Sequence, residues 1–176
     1  MTARRVYIIA LVLLALVSVP VSSAKSTNPT VIAKSSAAAA LKPEGVRVSI
    51  ELVGDERRKN QSLASRIAKV PSGKSLYLVF KNLNTTKQPE ELYNVYINIE
   101  EGKTPTAADT PAGTINFYNF ARKSSSDAFF SFDVTAVLKK LVAEKRLSDL
   151  VITIVPTAPP VEGVVPTIGQ IELVEQ

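Results

Sequence analysis

The sequence predicts a mainly β domain: a two-sheet antiparallel sandwich of about seven strands with one short amphipathic helix. Three observations carry this. Short stretches of alternating apolar and polar residues recur from Gly45 onward. Between them lie charged, Gly-bearing and Pro-bearing turns, with no alternation of strand and helix of the kind a parallel sheet needs. In Phe129 to Pro156, a strand, a helix and a second strand can be read in succession.

The chain opens on the pattern of an export signal over residues 1–24. Arg4-Arg5 precedes the apolar run Val6 to Val17, then Ser18-Val19-Pro20, and Ser22 and Ala24 stand at the spacing a signal peptidase accepts. Cleavage is expected after Ala24, which makes the product secreted, periplasmic or held at the cell surface. A membrane anchor is the competing reading, but the run is short for a bilayer and Pro20 interrupts its end. The arginine pair also invites a twin-arginine signal, against which stands the strongly apolar region directly after it. Residues 25–43 are rich in Ser, Ala, Thr and Lys, the composition of a flexible linker, with Ala37 to Leu41 long enough for a helical turn or two. The domain proper is expected over 44–176.

Within it, Val46, Val48, Ile50 and Leu52 alternate with Arg47, Ser49 and Glu51, which predicts one buried and one wet face. Asp55 to Asn60 reads as a charged turn. Leu76, Leu78 and Phe80 begin the next strand, and Asn82 to Glu91 follows as a polar loop. Tyr93, Val95, Ile97 and Ile99 then alternate with Asn94, Tyr96 and Asn98. After a long loop, Gly113 to Phe120 is the next strand. Phe129 to Phe132 suits a half-buried pleated surface, and Asp133 offers a carboxylate to the free N–H groups of a helix start. In that helix Val134, Val137, Leu138, Leu141 and Val142 share one face, with Lys139, Lys140, Glu144 and Lys145 on the other. Leu150 to Val155 is a continuous apolar strand stopped by Pro156. Thr157 to Pro166 is too rich in Pro for a central ladder, and Thr167 to Val174 closes the chain as a strand.

Composition removes most chemistry. The 176 residues include no Cys and no His, so disulfides, thiol nucleophiles, imidazole metal ligands and the usual general base are all missing, and no cofactor is expected. The formal charge of +5 falls to +3 without Arg4 and Arg5, and the Lys and Arg are scattered, which argues against nucleic acid. Gly73-Lys74-Ser75 looks like the tail of a phosphate loop, but the first glycine of such a loop would fall at Ala68 and a strand follows in place of a helix. Glu90 with Glu91, and Glu100 with Glu101, are adjacent carboxylates, which on a strand point to opposite faces and make poor shared sites. Without His, no Ser has the usual base to activate it. The chain is expected not to be an enzyme.

Aromatic residues are the remaining candidates for a binding site. Tyr96 sits among Asn94 and Asn98 and is expected to be exposed or half-exposed. Ile115 and Phe117 share one face of their strand, and Asn116, Tyr118 and Phe120 share the other. Apolar content leaves open which of the two is core. Tyr and Asn together suit a contact surface, so Tyr96, Tyr118 and Phe120 are the candidate binding residues.

Four blocks in order carry a resemblance: Tyr93-Asn94-Val95-Tyr96-Ile97-Asn98; Gly113-Thr114-Ile115-Asn116-Phe117-Tyr118-Asn119-Phe120; the helix and strand from Asp133 to Val155; and Ile168-Gly169-Gln170-Ile171-Glu172-Leu173. Together they resemble the C-terminal domain of plant-type polyphenol oxidases and related tyrosinases over about Pro43 to Gln176. The first block is similar to the Phe-Asp-Val-Tyr-Val-Asn motif of that domain. The second is similar to its Ala-Gly-Ser-Phe-Val-Asn-Val-Pro-His block, with Gly113, Phe117 or Ile115, and Asn119 as matches. The resemblance implies a jelly-roll-like sandwich that, in the family, covers the dicopper site of a catalytic domain and keeps the enzyme latent. Two features depart from it: the histidine-bearing copper domain is absent from this sequence, and Phe120-Ala121 stands where the family has Pro-His. A family role would therefore be played in trans, on a separately encoded type-3 copper oxidase. Two further readings compete: a carbohydrate- or wall-binding module with Tyr96, Tyr118 and Phe120 as a stacking platform, and a structural domain whose edge strand pairs with a neighbour in an extracellular assembly.

Overall fold

In the computed structural model, which describes residues 28–54, 61–106, 109, 111–118, 120 and 129–176, the alternating stretches become strands of a single antiparallel sheet. The export segment 1–24, with residues 25–27 and the charged turn at 55–60, lies outside the described residues. In chain order the elements are β1 (Thr30–Ser35), β2 (Ala39–Ala40), β3 (Val46–Leu52), α1 (Leu63–Ala68), β4 (Leu76–Asn84), β5 (Tyr93–Ile97), β6 (Gly113–Ile115), β7 (Phe129–Asp133), α2 (Thr135–Ala143), β8 (Leu150–Pro156) and β9 (Thr167–Glu175). The strands run in the order β6-β5-β8-β3-β1-β9-β4-β7, with β2 paired to β9 beside this path.

The mainly β, antiparallel class is as expected, but the two sheets are joined. The strand that joins them is β1, which lies in the stretch expected to be a loose linker. It pairs with β3 through Ala33 opposite Leu52 and Ser35 opposite Ile50, and with β9 through Thr30 opposite Glu175 and Lys34 opposite Glu172. Ile32, Ala33, Ala39 and Leu41 are all buried. The linker reading of 25–43 therefore fails from residue 30 onward. A polar-rich segment with few apolar residues became a central strand because two partners, one at the far end of the chain, satisfy both edges of its backbone.

Side-chain alternation sets the inside. Leu76, Leu78 and Phe80 of β4, Tyr93 and Val95 of β5, Ile152 and Ile154 of β8, and Ile171 and Leu173 of β9 belong to one hydrophobic cluster. At Asn82 the chain enters the left-handed region, φ 54°, opposite Gly169, where any Cβ would stand 2.6 Å from Asn82 Cβ. That close approach explains why a glycine sits in the middle of β9.

Helices close one end. α1, which period-based reading misses because six residues are too few to show a face, starts at Ser62, whose Oγ accepts from Ser65 N at 3.1 Å. Its Leu63 and Ile67 enter the core beside Leu138 and Leu141 of α2. Before α2, Asp133 Oδ1 accepts from Thr135 N at 2.9 Å, so the carboxylate serves the helix start as expected, one residue ahead of the cap position at Val134. Val137, read from spacing as part of the buried face, is 42 % exposed. The helix leaves through Lys145 at φ 55°, with Arg146 N donating to Leu141 O and Lys145 N to Val142 O, a Schellman end built without glycine.

Candidate functional site: an aromatic seam between the sheet ends

The two end strands of the sheet, β6 and β7, meet. Gly113 begins β6 directly against the ring of Phe132 in β7: a Cβ there would lie 2.3 Å from Phe132 Cδ1 and 2.5 Å from Cγ. Only a residue without a side chain permits this approach. From this point a chain of rings runs through the seam. Tyr93 meets Phe117 edge-on at 5.6 Å, Phe117 meets Phe120 at 5.9 Å, and Phe120 stacks on Phe130 at 6.3 Å. Phe130 stacks on Phe132 at 6.3 Å, and Phe132 meets Phe80 edge-on at 5.8 Å. These separations are those at which aromatic pairs add to simple burial.

The seam settles which face of the Gly113 to Phe120 stretch is core. Ile115 and Phe117 are buried, while Asn116 and Tyr118 are exposed. Regular pairing ends at Ile115, however, and the chain turns, with Asn116 Oδ1 accepting from Tyr118 N at 3.1 Å and Phe120 N donating to Phe117 O. The turn breaks strand parity. Phe120, expected on the face of Tyr118, swings back between Phe117 and Phe130, while Tyr118 stands 72 % exposed. Asn119 and Ala121 lie outside the described residues.

Tyr96 is only 9 % exposed, against the expectation from its polar neighbours. It lies opposite Thr153, and Arg47, on the other side of Thr153, reaches Glu100 O at 3.4 Å. The loop after β5 is thus tied down across that part of the sheet. Its neighbour Asn94 is engaged as well, accepting from Thr114 Oγ1 at 2.9 Å. The three candidate aromatics therefore do not form one open platform: Tyr96 is buried, Phe120 fills the seam, and Tyr118 alone of the three faces solvent. Phe129, not singled out from the sequence, is 62 % exposed at the rim of a shallow outer groove lined by Tyr77, Val79, Lys81 and Val174.

At the inner end of the ring chain, the Tyr93 hydroxyl donates to Glu91 Oε1, and Glu91 is only 6 % exposed. Burial, reinforced by the bond to Glu91 and its charge, pushes the Tyr93 hydroxyl above the usual phenol range. Glu91 Oε2 has no hydrogen-bond partner among the described residues. Glu90 is exposed while Glu91 is buried, and both lie in the bend before β5 and not on a strand, so the two carboxylates share no site. Glu100 is held by Lys103, whose hydrogen bond and charge lower its pKa, while Glu101 lies in solvent. Lys74 of the Gly-Lys-Ser stretch is 3.1 Å from Glu175, which also takes Arg66 at 2.7 Å. No group of three His, Cys, Asp or Glu able to hold a metal ion occurs among the described residues.

Fold and site together define a small antiparallel β domain, closed by an aromatic seam and capped by two helices. Within that class the chain belongs to the family described as Domain of unknown function (DUF7868), whose model matches residues 28–176. No curated protein matches the sequence. Among solved structures it is similar to latent apple tyrosinase at 14 % identity and a TM-score of 0.41, covering 81 % of this chain and 26 % of that one. Latent aurone synthase, a polyphenol oxidase, from natural source aligns at 18 % identity and 0.39, covering 84 % and 25 %. The recombinantly expressed form of that latent enzyme aligns at 18 % and 0.42, again covering 84 % and 25 %. This chain spans about a quarter of the length of each. They are polyphenol oxidases, the group that the sequence blocks resemble.

Proposed function

We propose that the chain is an exported, non-catalytic accessory domain that binds a separately encoded protein, and that this partner is a type-3 copper oxidase of the tyrosinase class, covered or assisted in trans. The observation that supports the reading is the placement of Tyr118. It is a large ring held out in solvent by a turn whose flanking residues, Phe117 and Phe120, are anchored in the seam. An exposed aromatic on a rigid base loses little entropy on contact, which is what a docking residue requires. The family resemblance supplies the class of partner.

The test is a pull-down with the tagged full chain from extracts of its own source, read by mass spectrometry and by phenol-oxidase activity. A tyrosinase-like oxidase should be recovered by the native chain, and recovery should fall at least tenfold with Tyr118→Ala. Recovery of no oxidase, or undiminished recovery with the variant, refutes the proposal. The carbohydrate reading is left with Tyr118 alone, because Tyr96 is buried and Phe120 is turned inward.

A further inference from the structure

β7 ends the sheet order, with β4 on one side and no strand hydrogen-bonded to the other. The phase of the ladder decides which of its backbone groups are left over. Ser75 and Gln176 exchange a pair of bonds, Ser75 N donating to Gln176 O at 2.9 Å and Gln176 N to Ser75 O at 3.0 Å. Such pairs recur at every second residue of an antiparallel ladder, so Tyr77, Val79 and Lys81 bond to β9, and Leu76, Leu78 and Phe80 bond to β7. Val134 N, donating to Leu76 O at 2.8 Å, has the same phase. Phe130 and Phe132 therefore spend their N–H and C=O groups on β4, while those of Phe129, Ser131 and Asp133 point away from it. These outward groups have no backbone partner among the described residues. β6, at the other end of the sheet order, meets β7 through the inward ring of Phe132 and forms no ladder with it.

Edges of this kind are normally blunted by lysine, proline or a bulge. β7 has none of them: its five residues are Phe-Phe-Ser-Phe-Asp, and its register with β4 is unbroken. Phe129, Ser131 and Asp133 are all exposed, with Phe129 at the rim of the outer groove of Tyr77, Val79 and Val174.

We infer that β7 is a dimerisation edge, pairing antiparallel with β7 of a second copy of this chain about a twofold axis at Ser131. That register sets Phe129 opposite Asp133 of the second copy and Ser131 opposite its own counterpart. It is the one in which the outward N–H and C=O groups of all three residues find partners within the two strands. A second copy suits the edge because the residue on the axis is small and uncharged, and the single charge of the strand, Asp133, faces a ring and not its own counterpart. On the outer face each Phe129 then lies beside Asp133 of the other copy, with Tyr77 of that copy one strand further in. The inference is independent of the protein partner proposed above.

Sedimentation of the full chain over a micromolar to millimolar concentration series tests it. The native chain should pass from monomer to dimer, and amide hydrogen exchange at Phe129, Ser131 and Asp133 should slow as it does. Ser131→Lys and Ser131→Glu each place like charges face to face on the axis, and each should weaken self-association by about tenfold. Position 131 is exposed, so both variants should keep the native circular dichroism spectrum. Mixed in equal amounts they should dimerise as well as the native chain or better, because Lys then faces Glu. This charge reversal separates the β7 edge from self-association elsewhere in the chain. The inference is overturned by a native chain that stays monomeric, by Lys or Glu variants that dimerise at native strength, or by a mixture no better than its parts. Equal exchange rates at the three amides in monomer and dimer would also overturn it, a result read on the native chain alone should either variant fail to fold.

Discussion

Replacing Gly113 with alanine would place a methyl carbon 2.3 Å from Cδ1, 2.4 Å from Cε1 and 2.5 Å from Cγ of Phe132. Comfortable carbon contacts lie at about 3.5–4.0 Å, so the ring must retreat by more than about 1 Å. Because Cγ is among the crowded atoms, rotation about χ2 alone cannot relieve the contact. Moving the ring disturbs its stack on Phe130 at 6.3 Å and its edge contact with Phe80 at 5.8 Å. Overpacking of this kind costs about 1–3 kcal/mol, and each weakened aromatic pair adds roughly 0.5–1.5 kcal/mol. Against that, alanine lowers the entropy of the unfolded chain by about 0.5–1 kcal/mol. The net expectation is a loss of about 2–4 kcal/mol. Urea denaturation should show it as a lower midpoint at unchanged slope. A double-mutant cycle with Phe132→Ala should give a coupling of about 1 kcal/mol or more, because removing the ring removes the clash. An unchanged or raised midpoint for Gly113→Ala would refute the claim that the sheet ends are in contact at this residue.

Asp133→Ala should cost about 1 kcal/mol through loss of the bond to Thr135 N, seen by chemical denaturation, and should leave partner binding intact. Burial raises the pKa of Glu175, but the hydrogen bonds and charges of Arg66 and Lys74 outweigh it and hold the carboxyl below its usual value. The stability it contributes is therefore present above the unfolded carboxylate pKa and lost as pH falls through the lower folded value. Glu175→Gln should cost about 1–3 kcal/mol at neutral pH and flatten the acid limb of a pH-stability profile below about pH 4.5. Lys145→Gly should raise stability by up to about 1 kcal/mol in thermal melts, because φ 55° at the helix end suits glycine.

Much of the inside-outside pattern was legible from alternation alone. The inward set Leu76, Leu78, Phe80, Tyr93 and Val95 follows directly from a side-chain period of two. The helix at Thr135–Ala143, its Asp133 start and the apolar strand before Pro156 were equally readable, because caps and punctuation act within a few residues. The candidate site was less legible. Phe120 was misplaced because the strand ends at Ile115 and a turn reverses its side, and Tyr96, among polar neighbours, proved to be buried between β6 and β8 partners that its own strand does not reveal. Both depend on contacts with remote segments that periodicity does not encode.

What the chain of residues decided unaided is the antiparallel β class, the absence of imidazole and thiol chemistry, and the inward side of β4 and most of that of β5. These are local or compositional, and no partner is needed to establish them. Tertiary structure alone decided that Thr30–Ser35 is a central strand, that the sheet ends meet over Gly113, and that Phe120 turns back into the seam. The reason is energetic. Ordering a polar-rich segment costs about 1–2 kcal/mol per residue in backbone entropy. Two waiting strand edges, one of them supplied from the far end of the chain, offset that cost.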